Sequence, residues 1–161
     1  MKIFILMSIL LLTAVNGYAQ TYEEAKSAFD SGDYKTALTI AQQLPDCNNA
    51  KILLGDMYLD GLGMTHADFA KALECYTEAA NNNSAEAQYI IGSLYYSGRG
   101  VHKSYPEAAA WYEKSANNGY ATAQSDLGEM YYRGKGIPRD YTKAAKWFEM
   151  AVEQNDAKAM F

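Results

Sequence analysis

The feature that most constrains this chain is an internal repeat of 36 to 37 residues. Leu54-Gly55-Asp56-Met57-Tyr58 is followed by Gly61-Leu62-Gly63. Ile91-Gly92-Ser93-Leu94-Tyr95 is followed by Gly98-Arg99-Gly100, and Leu127-Gly128-Glu129-Met130-Tyr131 by Gly134-Lys135-Gly136. The second half of each unit recurs in phase: Lys71-Ala72, Glu107-Ala108 and Lys143-Ala144, then Cys75-Tyr76, Trp111-Tyr112 and Trp147-Phe148. A period of this size marks stacked supersecondary units, none of which can bury its apolar face alone. The one extra residue in the first unit falls between Met64 and Asp68, in a connector where an insertion is tolerated.

Each unit reads as two helices. The Leu-Gly pair, with Tyr three residues after the Gly, lies on one helical stripe. A mid-helix Gly costs about 1 kcal/mol relative to Ala, and its compensation is room for a partner helix to come close. The Gly-x-Gly pair then ends the helix and permits positive φ. Asp68, Ser104 and Asp140 stand in one register as N-caps of the second helix. Glu107, three after Ser104, completes a capping box. Ala72, Ala108 and Ala144 are the small contacts of that helix, and Trp111 and Trp147 its large core contacts. Ahead of these units, Tyr22 to Leu44 reads as a related pair with Ala25 and Phe29 on its first helix. There Gly32-Asp33-Tyr34 makes the turn and cap, Ala37-Leu38 parallels Ala72-Leu73, and Pro45 stops the second helix.

The front of the chain is a different object. Lys2 precedes thirteen uncharged residues, Ile3 to Val15, and the small residues Gly17 and Ala19. This is the pattern of a secretory signal peptide cut between Ala19 and Gln20, with an uncleaved N-terminal anchor as the alternative reading. The apolar run is shorter than the roughly 20 residues that span a bilayer, and no later segment is apolar enough to cross one. The expected organisation is a signal peptide at 1–19, a first helix pair at 20–45, repeats at 46–84, 85–120 and 121–156, and a stub at 157–161 that starts a further helix or ends the stack. The localisation expected is export, to the periplasm or exterior of a bacterium.

Charge and composition remove several functions. The net charge is −5 and the sequence pI about 5.0, whereas a nucleic-acid binder needs a basic surface to neutralise phosphates. The Gly-x-Gly pairs are not a dinucleotide fingerprint, because His66, Lys103 and Arg139 stand where a third glycine is needed and no strand precedes them. His66 and His102 sit in connectors without carboxylates at helical spacing, so they read as solvated loop residues and no metal site is expected. There is no Ser-x-x-Lys and no Gly-x-Ser-x-Gly, so neither serine-nucleophile motif is present. No catalytic residue and no cofactor is assigned.

The pattern Ala-x-Ala-Gln-x-x-Leu-Gly-x-x-Tyr, Gly-x-Gly, Lys-Ala-x-x-Trp-aromatic, seen at Ala121 to Tyr131, Gly134 to Gly136 and Lys143 to Phe148, resembles the Sel1-like repeat. The leading pair resembles the sister tetratricopeptide repeat. The likeness covers nearly all of the chain after residue 19 and departs from the pattern at Cys75, which takes a Trp position. It implies an all-α solenoid of antiparallel helix pairs whose first helices line a concave face. On that face the candidate partner-binding residues are Ile52, Asp56 and Leu59, then Tyr89, Ser93 and Tyr96, then Ser125, Glu129 and Tyr132, with Asp60, Ser97 and Arg133 at the edge. Tyrosine suits such a surface, with large area, a hydroxyl and few rotors. Tyr89 and Tyr96 could equally pack between neighbouring units.

The resemblance further implies a scaffold for a protein or peptide partner, with no nucleic acid and no stable membrane insertion once the signal is removed. Eukaryotic relatives work in the endoplasmic reticulum lumen. Two other readings stay open: a cell-wall or β-lactam hydrolase, as claimed for cysteine-rich relatives, and a structural spacer. Cys47 and Cys75 are either a disulfide, as an exported chain with an even cysteine count invites, or two buried free thiols. Some relatives clamp each helix pair with such a bond.

Overall fold

The structure is a computed structural model that describes residues 21–154. The expectations for 1–19 and 157–161 lie outside the described residues. Among the described residues there are eight helices and no strand. They are α1 (21–30), α2 (Tyr34–Ala41), α3 (Asn48–Asp60), α4 (Phe69–Asn81), α5 (Ala85–Ser97), α6 (Tyr105–Asn117), α7 (Ala121–Arg133) and α8 (Tyr141–Glu153). The fold class is all-α, of the antiparallel helix-pair type that builds α-solenoids, as the repeat predicts. The chain forms two compact units that divide after Cys75, within α4.

The first unit is built on alanines. Ala25 of α1, Ala37 and Ala41 of α2, and Ala50, Leu53, Leu54 and Met57 of α3 form one buried cluster with Leu44. The predicted turn is present: Gly32 has φ +83°, and the Asp33 carboxylate accepts from the Thr36 N–H at 3.3 Å. Helix α2 ends at Ala41, earlier than the expected stop at Pro45. Cys47 and Cys75 both pack half-buried against this cluster.

In the second unit α5 packs on α6, α6 on α7, and α7 on α8. Its core is Ala108, Ala109, Tyr112 and Ala116 of α6 with Ala123, Leu127 and Met130 of α7. The repeat glycines are explained here. A Cβ on Gly92 would sit 2.5 Å from the Tyr112 ring, and one on Gly128 would sit 2.8 Å from the Phe148 ring. The aromatic side chain of the second helix therefore fills the space that glycine vacates on the first. It is the second residue of each aromatic pair that does so. Tyr112 is 3% exposed, whereas Trp111 is half-buried with the Lys114 ammonium 3.8 Å from its ring centroid. The assignment of Trp111 as a core residue is therefore corrected: adjacent helix positions point about 100° apart, and Tyr112 takes the inward one. Trp147 is half-buried as well, against the cluster that holds Tyr112.

The three caps form as the register requires. Asp68 accepts from the Lys71 N–H at 3.0 Å, Ser104 from Glu107 at 3.4 Å and Asp140 from Lys143 at 2.9 Å. The capping box at Ser104 is only half made, because the Ser104 N–H donates to the Tyr95 carbonyl at 2.9 Å and so is not left for Glu107. The same bond recurs from Asp68 to Tyr58 and from Asp140 to Tyr131. It folds each connector back onto the end of the preceding helix.

Sequence reasoning passed over the glutamine of the Ala-x-Ala-Gln motif. Gln88 and Gln124 are 5% and 1% exposed. Their side-chain N–H groups donate to the carbonyls of Ala80 and Ala116, at 3.2 and 3.1 Å. Their side-chain oxygens accept from Asn118 and Gln154, at 2.9 and 2.8 Å. Each glutamine thus ties the ends of two successive second helices together. The buried amide meets partners at both ends, as a polar group out of water must.

Candidate functional site

Helices α5 and α7 carry the informative surface of the second unit. The Tyr89 ring stacks on Tyr112, with centroids 5.4 Å apart, and leans on Tyr120 at 5.1 Å. Its hydroxyl donates to Asp126 Oδ2 at 3.0 Å. Burial, and then the Asp126 charge, push the Tyr89 phenol up to about 12. Burial also pushes Tyr112 well above the usual phenol range. Both are therefore protonated at neutral pH and act as hydrogen-bond donors rather than bases. Tyr96 lies two helical turns further along α5. Its ring meets Tyr105 edge-on at 5.2 Å, and its hydroxyl accepts from Lys135 Nζ at 2.6 Å.

Lys135 is the middle residue of a Gly-x-Gly connector. It can reach Tyr96 because Gly136 lies against Tyr105 so closely that a Cβ would fall 2.5 Å from the Tyr105 carbonyl carbon. The ammonium also lies 4.2 Å from the centroid of Tyr96 and 4.4 Å from that of Tyr105. Its pKa is raised, first by the Tyr96 hydroxyl, so the charge is retained at any physiological pH.

Tyr96, Tyr112, Asp126 and Lys135 line a pocket of about 390 Å³. One wall is Ser93, Tyr96, Ser97 and Tyr112; the other is Asp126, Glu129, Met130 and Arg133, with Lys135 at the lip. Ser93 Oγ donates to the Tyr89 carbonyl at 3.1 Å and lies 3.2 Å from the Tyr112 hydroxyl. Glu129 and Arg133 form an exposed pair at 3.0 Å. The pocket is thus walled by hydroxyls and ring faces, with both signs of charge at its mouth. That arrangement suits holding a polar chain by hydrogen bonds and aromatic contact.

The structure sorts the nine candidate residues. Ser93, Tyr96 and Glu129 line the pocket, as do the edge residues Ser97 and Arg133. Tyr89 lies behind it, enclosed by other tyrosines. Ser125 is 2% exposed and its hydroxyl donates to the Ala121 carbonyl. Tyr132 is 57% exposed and pairs with Tyr141 at 5.4 Å, outside the pocket. In the first unit Asp56 is half-buried, while Ile52 and Leu59 are 7% and 8% exposed and offer little side chain to a ligand. Helical spacing alone could not reveal Asp126 and Lys135. Asp126 falls one residue off the counted stripe, and Lys135 enters from a loop. Both histidines are exposed in connectors, with Thr65 Oγ1 2.9 Å from His66 Nδ1. Among the described residues no three His, Cys, Asp or Glu side chains gather as a metal site would need, and no helix is long and apolar enough to cross a membrane.

The paired helices and their repeat define a helical-repeat scaffold, a fold that commonly serves protein interaction. The Sel1 repeat family matches residues 49–84, 85–120 and 121–156, and the chain belongs to that family. Among solved structures, it is similar to a Sel1 repeat protein from Oxalobacter formigenes, with 29% identity and a TM-score of 0.78 over 84% of this chain and 56% of that one. It is also similar to c5321, a protective antigen present in uropathogenic Escherichia coli strains, with 31% identity, a TM-score of 0.67, and 86% and 26% of the two chains covered. A third likeness is to Helicobacter pylori cysteine rich protein B, with 26% identity, a TM-score of 0.62, and 78% and 93% covered. The chain therefore spans about half of the first of these proteins and about a quarter of the second. The curated proteins contain no match.

Proposed function

We propose that this chain is an exported, non-catalytic adaptor that binds a protein or peptide through the face that α5 and α7 share. The observation that carries this reading is the pocket between them, where Tyr96, Ser93 and Ser97 oppose Asp126, Glu129 and Arg133 beneath the Lys135 ammonium. A family whose fold commonly serves protein interaction supplies the background. Burial holds the Tyr112 phenol of the pocket above the usual phenol range, which favours hydrogen bonding over proton transfer there. Export rests on the first nineteen residues.

Affinity capture from the native envelope, followed by mass spectrometry, identifies the partner, and its purified form then serves for titration. Replacing Tyr96 by Phe and Lys135 by Ala removes two polar contacts at the lip without touching the buried core. Binding is expected to weaken by about tenfold or more, the equivalent of one good hydrogen bond or a little over. Unchanged affinity in a folded double variant rejects this face. The export step has its own readout: N-terminal sequencing of the recovered protein should begin at Gln20.

A further inference from the structure

The second unit holds another pocket that shares no lining residue with the first. It encloses about 420 Å³ where the end of α4, the start of α5 and the last turns of α6 meet. Its polar lining is neutral apart from one lysine: Asn81, Asn83, Gln88, Asn117 and Asn118 stand around Trp111 and Lys114. The repeat accounts for part of this. Thirty-six residues on, Asn81, Gln88, Trp111 and Asn118 correspond to Asn117, Gln124, Trp147 and Gln154. It does not account for the rest. Asn83 corresponds to Gly119, Lys114 to Met150 and Asn117 to Glu153. Asn83 even holds φ +61°, a left-handed conformation that Gly119 adopts at +81° with no side chain to strain. An asparagine there accepts a conformation that glycine would take more easily, and it adds an amide to this pocket.

Primary amides present donors and an acceptor side by side, which matches the paired hydroxyls of a sugar. An indole offers a flat apolar face with a polar edge, which matches the C–H face of a pyranose ring. Gln88 is buried and engaged at both ends, so it serves as an anchor: its Oε1 accepts from Asn118 Nδ2 and fixes that amide, whose Oδ1 is then the acceptor end. Lys114 disfavours a cationic ligand. Its ammonium covers the indole through an exposed cation–π contact, a weak interaction that a stacking ring can displace.

We propose that this pocket is a carbohydrate subsite that stacks a neutral pyranose on Trp111 and holds its hydroxyls with Asn83, Asn117 and Asn118. The chain has only two tryptophans, so a Trp147→Phe background makes Trp111 the sole indole reporter. The full chain is titrated with maltotriose, cellotriose and triacetylchitotriose up to millimolar concentration while Trp111 emission is read. A saturable change with at least one sugar is expected. Replacing Asn83 by Gly and Asn117 by Glu installs the residues that the next repeat already carries at these places. That change should weaken binding by about tenfold or more, since hydrogen bonds are lost and a carboxylate is added. A response to none of the sugars overturns the proposal, and so does an unchanged affinity in the double variant. Should the variant fold poorly, chemical-shift mapping on the unaltered chain decides. Shifts at the Trp111 indole and the Asn83 and Asn117 amides support the site; shifts confined to Tyr96 and Lys135 overturn it. Neither outcome bears on peptide binding at the other pocket.

Discussion

At Tyr112 the ring is 3% exposed, stacks on Tyr89, and fills the place where Gly92 offers no side chain. Trp111, one residue earlier, lies half-buried beneath a lysine. The residue scale therefore separates two large aromatics that a composition-based argument treats alike. Tyr112→Ala should cost about 3–5 kcal/mol, as truncation of a buried aromatic does. Trp111→Ala should cost less, about 1–2 kcal/mol, since its indole is only half-buried. Denaturant unfolding of the two variants measures both values, and equal losses would contradict this division. Each repeat pairs a first-helix glycine (Gly55, Gly92, Gly128) with an aromatic on the second helix (Tyr76, Tyr112, Phe148), and that pairing is why a close approach was foreseeable. Which of two adjacent aromatics turns inward depends on helix phase relative to the partner. A stripe count that starts from the other helix does not fix that phase.

Helices here are delimited by single polar side chains and by glycines at the end of the last turn. The Asp140 carboxylate accepts from the Lys143 N–H at 2.9 Å, while its own N–H is spent on Tyr131. Asp140→Ala keeps the second bond and loses the first, so α8 should lose about 1 kcal/mol. Ser104→Ala at α6 should behave alike, with a smaller loss because its bond is 3.4 Å long. Thermal unfolding of both variants tests the order, and a larger loss at Ser104 would reverse it. This scale was the most legible one. The three caps, the positive-φ glycines and the paired helices all follow from local chemistry at fixed offsets. The half-made box at Ser104 was not legible, because the Tyr95 carbonyl that takes its N–H lies across a connector. The same limit hid Lys135 and Asp126, whose partners Tyr96 and Tyr89 lie 39 and 37 residues away. It also hid the glutamine clasps, since polar residues on a helix read as solvent-facing until their partners are known.

At the scale of the whole molecule, burial raises two phenols of the second unit, Tyr89 and Tyr112. An unfolded tyrosine releases its proton near 10.0, whereas native Tyr89 holds it to about 12 and Tyr112 is raised as well. Above pH 10 the unfolded chain therefore binds fewer protons than the native one, so stability falls as pH rises. The contribution of Tyr89 is intact below pH 10 and is lost by about pH 12. Lys135, raised by the Tyr96 hydroxyl, acts in the same direction. Tyr105 opposes them, because Lys103 and then Lys135 lower its pKa. With one phenol lowered against two raised by burial, the net fall with rising pH remains. Melting temperatures measured at intervals from neutral pH to pH 12 should hold steady and then drop once pH passes 10. Phenolate absorbance should rise in two stages, the exposed tyrosines first and the stacked ones together with unfolding. Replacing both Tyr89 and Tyr112 by Phe should shrink the second stage and flatten the alkaline fall, even though the neutral-pH stability drops with the loss of the Asp126 bond. A fall of unchanged steepness in that variant would show that the tyrosine stack does not govern the alkaline limit.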